Sequence, residues 1–84
     1  MTTPRFPCPC CGFKTLEEPP PGTFAICPVC YWEDDDIQFR DLDFAAGANR
    51  VSLREARTNY ARLGAITAEF VDRVRPPRED ERGQ

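Results

Sequence analysis

The chain contains no histidine, so it lacks the side chain that most often serves as a general base in enzymes. It also lacks a glycine-rich phosphate loop and the nucleophile turn of the serine hydrolases. No apolar run approaches membrane-spanning length, and residues 1–7 lack the apolar segment of an export signal. We therefore expect a non-catalytic protein that resides in the cytoplasm and does not associate with membranes.

The length of the chain limits how it can be stabilised. With 84 residues it has room for one domain, and domains this short often need a metal or disulfide bonds to supplement a small core. The five cysteines are an odd number, and in a reducing cytoplasm paired cysteines are more often metal ligands than disulfides. A structural zinc contributes about 10–16 kcal/mol in small zinc peptides, which is comparable to the stability of a whole domain.

Four of the cysteines form two C-x-x-C turns, each with proline after its first cysteine. The pairs are Cys8 with Cys11 and Cys27 with Cys30, and fifteen residues separate them. Two such turns brought together by a short hairpin present four thiolates to one tetrahedral metal. Zinc is the favoured ion, but the same ligands suit the iron of a rubredoxin-type electron-transfer centre, and thiol redox chemistry is a third interpretation. The ligands alone do not separate zinc from iron.

Cys10 lies inside the first turn, where it cannot join Cys8 and Cys11 on one metal without distorting the turn. The simpler interpretation is a small residue on the outer side of the turn, and the alternative is a reactive thiol whose pKa the adjacent metal alters. Gly12 follows the first turn and allows a positive φ, whereas Tyr31 occupies the equivalent position of the second turn.

Residues 13–16 and 23–26 alternate apolar and polar side chains, as half-buried strands do. Between them, residues 17–22 contain three consecutive prolines and a glycine, which favour a turn. This order predicts a zinc-ribbon or rubredoxin-like β-hairpin with a cysteine turn at each end. Aromatic side chains near the turns are expected to cover the metal, namely Phe6, Phe13, Phe24 and Tyr31.

The middle of the chain is strongly acidic. Residues 31–48 contain six acidic side chains and only one basic side chain, Arg40. We expect this stretch to be solvated and partly paired with arginines of the following helix. The functional alternatives are oxygen ligation of a second cation and docking to a basic partner. The candidate docking residues are Trp32, Glu33, Asp34 and Asp35, with the tryptophan as the anchor.

A helix is predicted over residues 52–63. Ser52 and Glu55 have the spacing of a capping box, and Gly64 is placed to end the helix. One face is apolar and is expected to pack on the hairpin near Trp32 and Phe24; its residues are Leu53, Ala56, Tyr60 and Leu63. A second short helix is predicted over residues 68–74, with Thr67 as its cap and with Phe70, Val71 and Val74 buried.

The predicted fold is therefore a small α+β metal-bound domain, in which one or two short helices pack on a two-turn β-hairpin. The domain is expected to span residues 1–74. Residues 75–84 contain two prolines and six charged side chains with nothing to bury, so we expect a disordered charged tail.

The combined pattern closely resembles the bacterial cysteine-rich CPCC family over residues 5–74. The resemblance is carried by Cys8-Pro9-Cys10-Cys11 with its flanking residues and by the segments 6–12, 15–16, 18–22, 26–35 and 49–60. It implies zinc binding through the paired cysteines and adds weight to a use for Cys10, but it implies no particular activity.

Two classes of function remain open. The first is a zinc-stabilised, non-catalytic module that binds another protein, or nucleic acid, although the sequence pI of about 4.8 opposes contact with phosphates. Arginines 50, 54, 57 and 62 could still form a basic stripe along the predicted helix. The second class is electron transfer by iron or thiol redox chemistry at Cys10.

Overall fold

The computed structural model describes residues 5–82. Two short strands, β1 (Phe6–Pro7) and β2 (Lys14–Leu16), are followed by two α-helices, α1 (Asp36–Arg40) and α2 (Leu53–Leu63). Two 3₁₀ helices, Ala68–Arg73 and Glu79–Glu81, lie in the C-terminal part of the chain. Within residues 5–82, no helix is both long enough and apolar enough to cross a membrane.

Each cysteine turn lies at the tip of its own hairpin. β1 and β2 pair antiparallel on either side of the first turn, with Phe6 opposite Leu16. Across the second turn, Ile26 forms a single antiparallel bridge with Glu33. The predicted pairing of residues 13–16 with 23–26 is therefore wrong. Each turn reverses the chain locally, so the nearest partner of a segment is the segment on the other side of its own turn.

The acidic stretch begins a helix that the sequence analysis did not predict. Asp35 is the N-cap of α1, and its Oδ1 accepts hydrogen bonds from the backbone N–H groups of Ile37 at 2.8 Å and Gln38 at 3.1 Å. Its Oδ2 accepts from the N–H of Ala48 at 2.9 Å. Burial acts to raise the pKa of the Asp35 carboxyl, but the three N–H donors outweigh it and lower that pKa below its ordinary value.

A buried pair of side-chain amides holds the loop between α1 and α2. Gln38 Nε2 donates to the carbonyl oxygens of Phe44 at 2.9 Å and Val51 at 3.0 Å. Gln38 Oε1 accepts from the backbone N–H and the side-chain amide of Asn49, at 3.0 and 2.8 Å. Asn49 also bonds both the N–H and the carbonyl oxygen of Glu33 at 2.8 Å. These side-chain amides therefore satisfy backbone N–H and carbonyl groups of the loop, as a neighbouring strand does in a sheet.

The prediction of α2 is confirmed. Ser52 is the N-cap, and its hydroxyl accepts a hydrogen bond from the Glu55 N–H at 3.1 Å. Gly64 ends the helix in the left-handed conformation, with φ of 84° and its N–H bonded to the Tyr60 carbonyl. The local signals at both ends were sufficient because capping depends on residues close in sequence.

Only the first half of the predicted apolar face of α2 is buried. Leu53 and Ala56 pack in the core with Trp32, whereas Leu63 at the end of the helix is exposed. The expected contact with Phe24 is absent from the core, because that side chain is 55% exposed. Tyr60 still packs against the core, but Leu63 lies beyond it, so only the end of the apolar face is uncovered.

The second predicted helix is a 3₁₀ helix, Ala68–Arg73. Thr67 precedes it, but its side chain makes no capping hydrogen bond. Phe70 packs against the core as expected, and Val74 is half-buried, while Val71 is exposed. Six residues provide less than two α-helical turns, and without a cap such a segment has little to favour α-helical geometry.

The expectation that the tail buries nothing does not hold for residues 75–82, and residues 83–84 of the predicted tail lie outside the described residues. The Arg75 N–H donates to the Pro28 carbonyl at 3.1 Å, which attaches this segment to the second cysteine turn. Glu81 is 1% exposed and accepts hydrogen bonds from the guanidinium groups of Arg75 and Arg5. Neutralised by these arginines, a charged residue is buried where the sequence analysis expected only solvated charges.

Candidate metal centre

The sulfur atoms of the four paired cysteines come together where the tips of the two hairpins meet. All four lie within 4.8 Å of one another. The Sγ atoms of Cys8 and Cys30 are 3.6 Å apart, and those of Cys11 and Cys27 are 3.7 Å apart. Zinc–sulfur bonds of about 2.3 Å in a tetrahedron would place sulfurs about 3.8 Å apart. The four cysteines are therefore positioned to bind one tetrahedral metal ion.

The two turns share one backbone conformation. The N–H of Gly12 donates to the Cys8 carbonyl and the N–H of Tyr31 donates to the Cys27 carbonyl, both at 2.8 Å. Gly12 has φ of 82° and Tyr31 has φ of 77°. The fifth residue of each turn thus needs the left-handed conformation, which costs a residue with a side chain about 1–2 kcal/mol.

A stacking contact offsets the energetic cost of the left-handed conformation at Tyr31. Its ring stacks on that of Phe70 with centroids 4.2 Å apart and an angle of 24° between the planes. An aromatic pair contributes about 0.5–1.5 kcal/mol beyond the area it buries, which is close to the backbone cost. The tyrosine that replaces glycine in the second turn therefore attaches the 3₁₀ helix Ala68–Arg73 to the metal centre.

Hydrogen-bond donors surround the sulfurs of the second turn. The backbone N–H groups of Val29 and Trp32 point at Cys27 Sγ and Cys30 Sγ, each at 3.4 Å. The hydroxyl of Thr15 on β2 lies 3.1 Å from Cys27 Sγ. Such donors stabilise negative charge on metal-bound sulfur. Sequence analysis missed Thr15, and no local pattern distinguishes it, because its contact depends on how the two hairpins meet.

The close approach of the sulfurs shifts the pKa values of their thiols. Hydrogen bonding raises the pKa of three of the thiols. The main partner is Cys11 for the Cys8 thiol, Cys27 for the Cys11 thiol and Cys10 for the Cys30 thiol. The same bonding, from Cys11 first, lowers the pKa of Cys27. A metal binds the thiolate form of cysteine, so metal binding at these cysteines is coupled to proton release.

Cys10 occupies a different place from the one predicted. It is buried in the same core as the four paired cysteines rather than on the outer side of the turn, and it is not one of the four clustered ligands. The preceding Pro9 carbonyl faces outward instead and accepts a hydrogen bond from Arg57 at 3.0 Å. Burial limits the access of reagents to this thiol, which disfavours the reactive-thiol interpretation.

The aromatic cover of the centre is smaller than expected. Phe13 and Tyr31 pack against the core, and Phe13 meets the ring of Tyr60 edge-on with centroids 6.5 Å apart. Burial and the nearby thiols raise the pKa of Tyr60 to about 12. Phe24 points into solvent and Phe6 is half-buried outside this core. The predicted cover therefore holds for two of its four members.

The four candidate docking residues are mostly interior. Trp32 and Asp35 are buried, and Asp34 is 0% exposed. Asp34 Oδ2 accepts hydrogen bonds from the N–H and hydroxyl of Thr23, at 3.0 and 2.8 Å. Glu33 is half-buried, and its backbone pairs with Asn49. The carboxylates of Asp34 and Asp35 accept hydrogen bonds from backbone and hydroxyl donors, so these two acids offer little surface to a partner.

A second cation site among the acids finds no support in the geometry. Within residues 5–82, the cysteine group is the one cluster of three or more ligand atoms close enough to hold a metal ion. The carboxylates of Asp34 and Asp35 are directed at separate donors on different segments. The carboxylates of this acidic stretch therefore stabilise the conformation of the loop.

Comparison with known proteins identifies the family. The sequence model of the family described as cysteine-rich CPCC matches residues 6–81. The chain belongs to this family, and the match includes the buried Glu81 as well as both cysteine turns. No curated protein is detectably similar to the chain.

Proposed function

We propose that this member of the cysteine-rich CPCC family is a zinc-stabilised, non-catalytic module that mediates contact with another protein. The observation that carries the proposal is the central position of the sulfur group, which packs in one core with Trp32, Leu53, Ala56 and Ile66. A metal there links both hairpins to α2, so that metal binding and folding become one event. Four thiolates complete a tetrahedral coordination sphere and leave no open position for a substrate.

Iron in the same site, with an electron-transfer function, is the second candidate. The N–H groups of Val29 and Trp32 favour it to some extent, because hydrogen bonds to sulfur adjust the reduction potential of iron centres. Zinc is preferred because four-cysteine sites that organise a small core are typical structural zinc sites.

A protein partner fits the surface better than nucleic acid does. The chain carries a formal net charge of −3. Arg54 pairs with Asp43 at 2.7 Å and Arg50 with Glu69 at 3.6 Å, so two of the four arginines near α2 are already neutralised. Large apolar side chains are exposed within the described residues and are available for protein contact: Phe24, Ile26, Ile37, Phe39, Leu63 and Val71.

The first experiment is native mass spectrometry of the full chain, combined with elemental analysis and a visible spectrum. We expect one zinc per chain and no visible absorption. A coloured protein that bleaches reversibly with reductant would indicate iron instead of zinc, and an electron carrier instead of a binding module.

The second experiment cross-links the zinc-loaded protein in lysate and compares it with chelated protein. We expect specific proteins to be retained only by the zinc-loaded form. Salt-sensitive retention of nucleic acid, without protein, would contradict a protein-binding function.

A further inference from the structure

A cleft of about 390 Å³ separates the two segments that the sequence predicted to pair as a hairpin. Residues 15–18 form one wall, and Thr23, Ala25, Ile26 and Pro28 line the other. Residues 19–22 join the two walls. The volume lies at the lower end of the range of ligand sites, which is about 300–1,000 Å³, and suits a short stretch of peptide.

The second wall exposes one residue of unpaired backbone, at the single β-bridge between Ile26 and Glu33. The Cys27 N–H bonds to the Trp32 carbonyl at 2.9 Å and the Asp34 N–H bonds to the Ala25 carbonyl at 3.0 Å. These two bonds flank Ile26, so the alternation of an antiparallel pair directs the N–H and carbonyl of Ile26 away from Glu33. Among residues 5–82 neither group has a hydrogen-bond partner. A free N–H and a free carbonyl on one side of a residue are the groups with which an added extended segment pairs.

Exposed apolar side chains accompany this edge. Ile26 is 48% exposed, and the neighbouring Phe24 is held in solvent with φ of 60°. An aromatic residue rarely adopts that left-handed conformation, and here the Phe24 N–H is held by the Asp34 carbonyl at 2.9 Å. A strained backbone that presents a large apolar side chain to solvent is typical of a binding surface.

The opposite wall is acidic. Glu17 and Glu18 line the cleft, both are exposed, and neither forms an ion pair with any residue in the part of the chain that the structure describes. Thr15, in the same wall, contacts Cys27 Sγ, so the cleft also borders the sulfur group. The negative charge favours a cationic ligand and opposes nucleic acid.

We propose that this cleft binds an extended peptide segment of a partner protein, in which Lys or Arg side chains alternate with apolar ones. The peptide backbone pairs with Ile26, its apolar side chains pack beside Ile26 and Phe24, and its cations face Glu17 and Glu18. This inference rests on the proposed protein-binding function and names the surface and the class of partner. A second copy of the chain is disfavoured as the occupant, because it would bring the same acidic wall against this one.

The test uses the zinc-loaded full chain and a randomised library of displayed eight-residue peptides. We expect selection to enrich Lys or Arg in alternation with β-branched or aromatic residues. A selected peptide should shift the backbone NMR signals of residues 15–18 and 23–28 and leave those of α2 unchanged. N-methylation of the peptide at alternate positions should abolish binding in one register only, as strand pairing requires.

Matched charge variants test the acidic wall. Glu17→Gln with Glu18→Gln should weaken binding of the selected peptide about three- to tenfold and reduce its salt dependence. Glu55→Gln with Asp72→Asn removes two exposed charges elsewhere and should leave the affinity unchanged. Equal effects of the two double variants would overturn the role of the acidic wall.

Three other results would overturn the inference. They are failure to enrich cationic peptides, peptide-induced shifts confined to other surfaces, and concentration-dependent shifts at residues 23–28 without peptide, which would identify a second copy as the occupant. If these occur while zinc-dependent capture of partner proteins persists, the docking surface lies elsewhere and the proposed function stands. Loss of the zinc-dependent capture of partner proteins would contradict the proposed function.

Discussion

Substitution of Glu81 by glutamine tests whether the C-terminal segment stabilises the domain. The carboxylate accepts two hydrogen bonds from Arg75 at 2.9 and 2.8 Å, one from Arg5 at 3.2 Å, and one from the backbone N–H of Arg78 at 2.8 Å. The Arg75 guanidinium is the main reason that the pKa of Glu81 falls from 4.5 to about 2. A shift of this size corresponds to about 3 kcal/mol of preference for the ionised form in the fold.

We expect Glu81→Gln to lower the free energy of unfolding by about 2 kcal/mol. Glutamine keeps one acceptor oxygen but places an amide NH₂ against a guanidinium, and the freed arginines recover some hydration because their side chains are 31% exposed. For a domain of this size the midpoint temperature should fall by about 8–16 °C. Urea unfolding of the zinc-loaded protein at pH 7, followed by circular dichroism, measures the difference.

The contribution of Glu81 to stability should decrease at acidic pH. The pKa of Glu81 is lower in the folded state than the ordinary 4.5, so its contribution is complete above pH 4.5 and is lost as the pH falls from 4.5 toward 2. The stability difference between wild type and Glu81→Gln should therefore be constant from pH 5 to 8. Comparing the two proteins at each pH cancels the metal loss that acid causes in both.

Glu79→Gln is the matched control, since Glu79 lies in the same 3₁₀ helix but is exposed. It should change stability by less than about 0.5 kcal/mol. Equal stabilities of the two glutamine variants would refute the reasoning and show that residues 75–82 do not dock on the domain in solution.

Three further predictions concern the metal centre. Chelation of the metal should abolish the helical circular-dichroism signal at 222 nm, because α2 has eleven residues and a helix that short is marginal alone; a retained signal would mean that α2 has another partner. Cys11→Ser should lose the metal in native mass spectrometry and Cys10→Ser should retain it at one ion per chain; metal loss in the second variant would overturn the ligand assignment. At Tyr31 both glycine and alanine remove the stack on Phe70, so Tyr31→Gly should be more stable than Tyr31→Ala by about 1 kcal/mol, and equal urea midpoints would contradict the left-handed conformation.

The sequence alone determined the features that depend on near neighbours. The two C-x-x-C turns identified the four clustered cysteines, because each turn sets the spacing of its own sulfurs. Ser52 and Gly64 located both ends of α2 for the same reason. The family followed from the same motifs.

Only the tertiary structure decided which segments meet. Alternation marked residues 13–16 and 23–26 as extended, but β2 pairs with β1 and Ile26 with Glu33, because pairing depends on the path of the chain through each turn. Asp34 and Asp35 looked like solvated charges, yet their donors come from residues up to 13 positions away. Glu81 bonds Arg75 and Arg78 nearby and also Arg5, 76 residues distant, so the local pattern alone does not reveal its burial. A carboxylate is buried or solvated according to all the donors that the fold brings to it, and only some of those donors lie beside it in the chain.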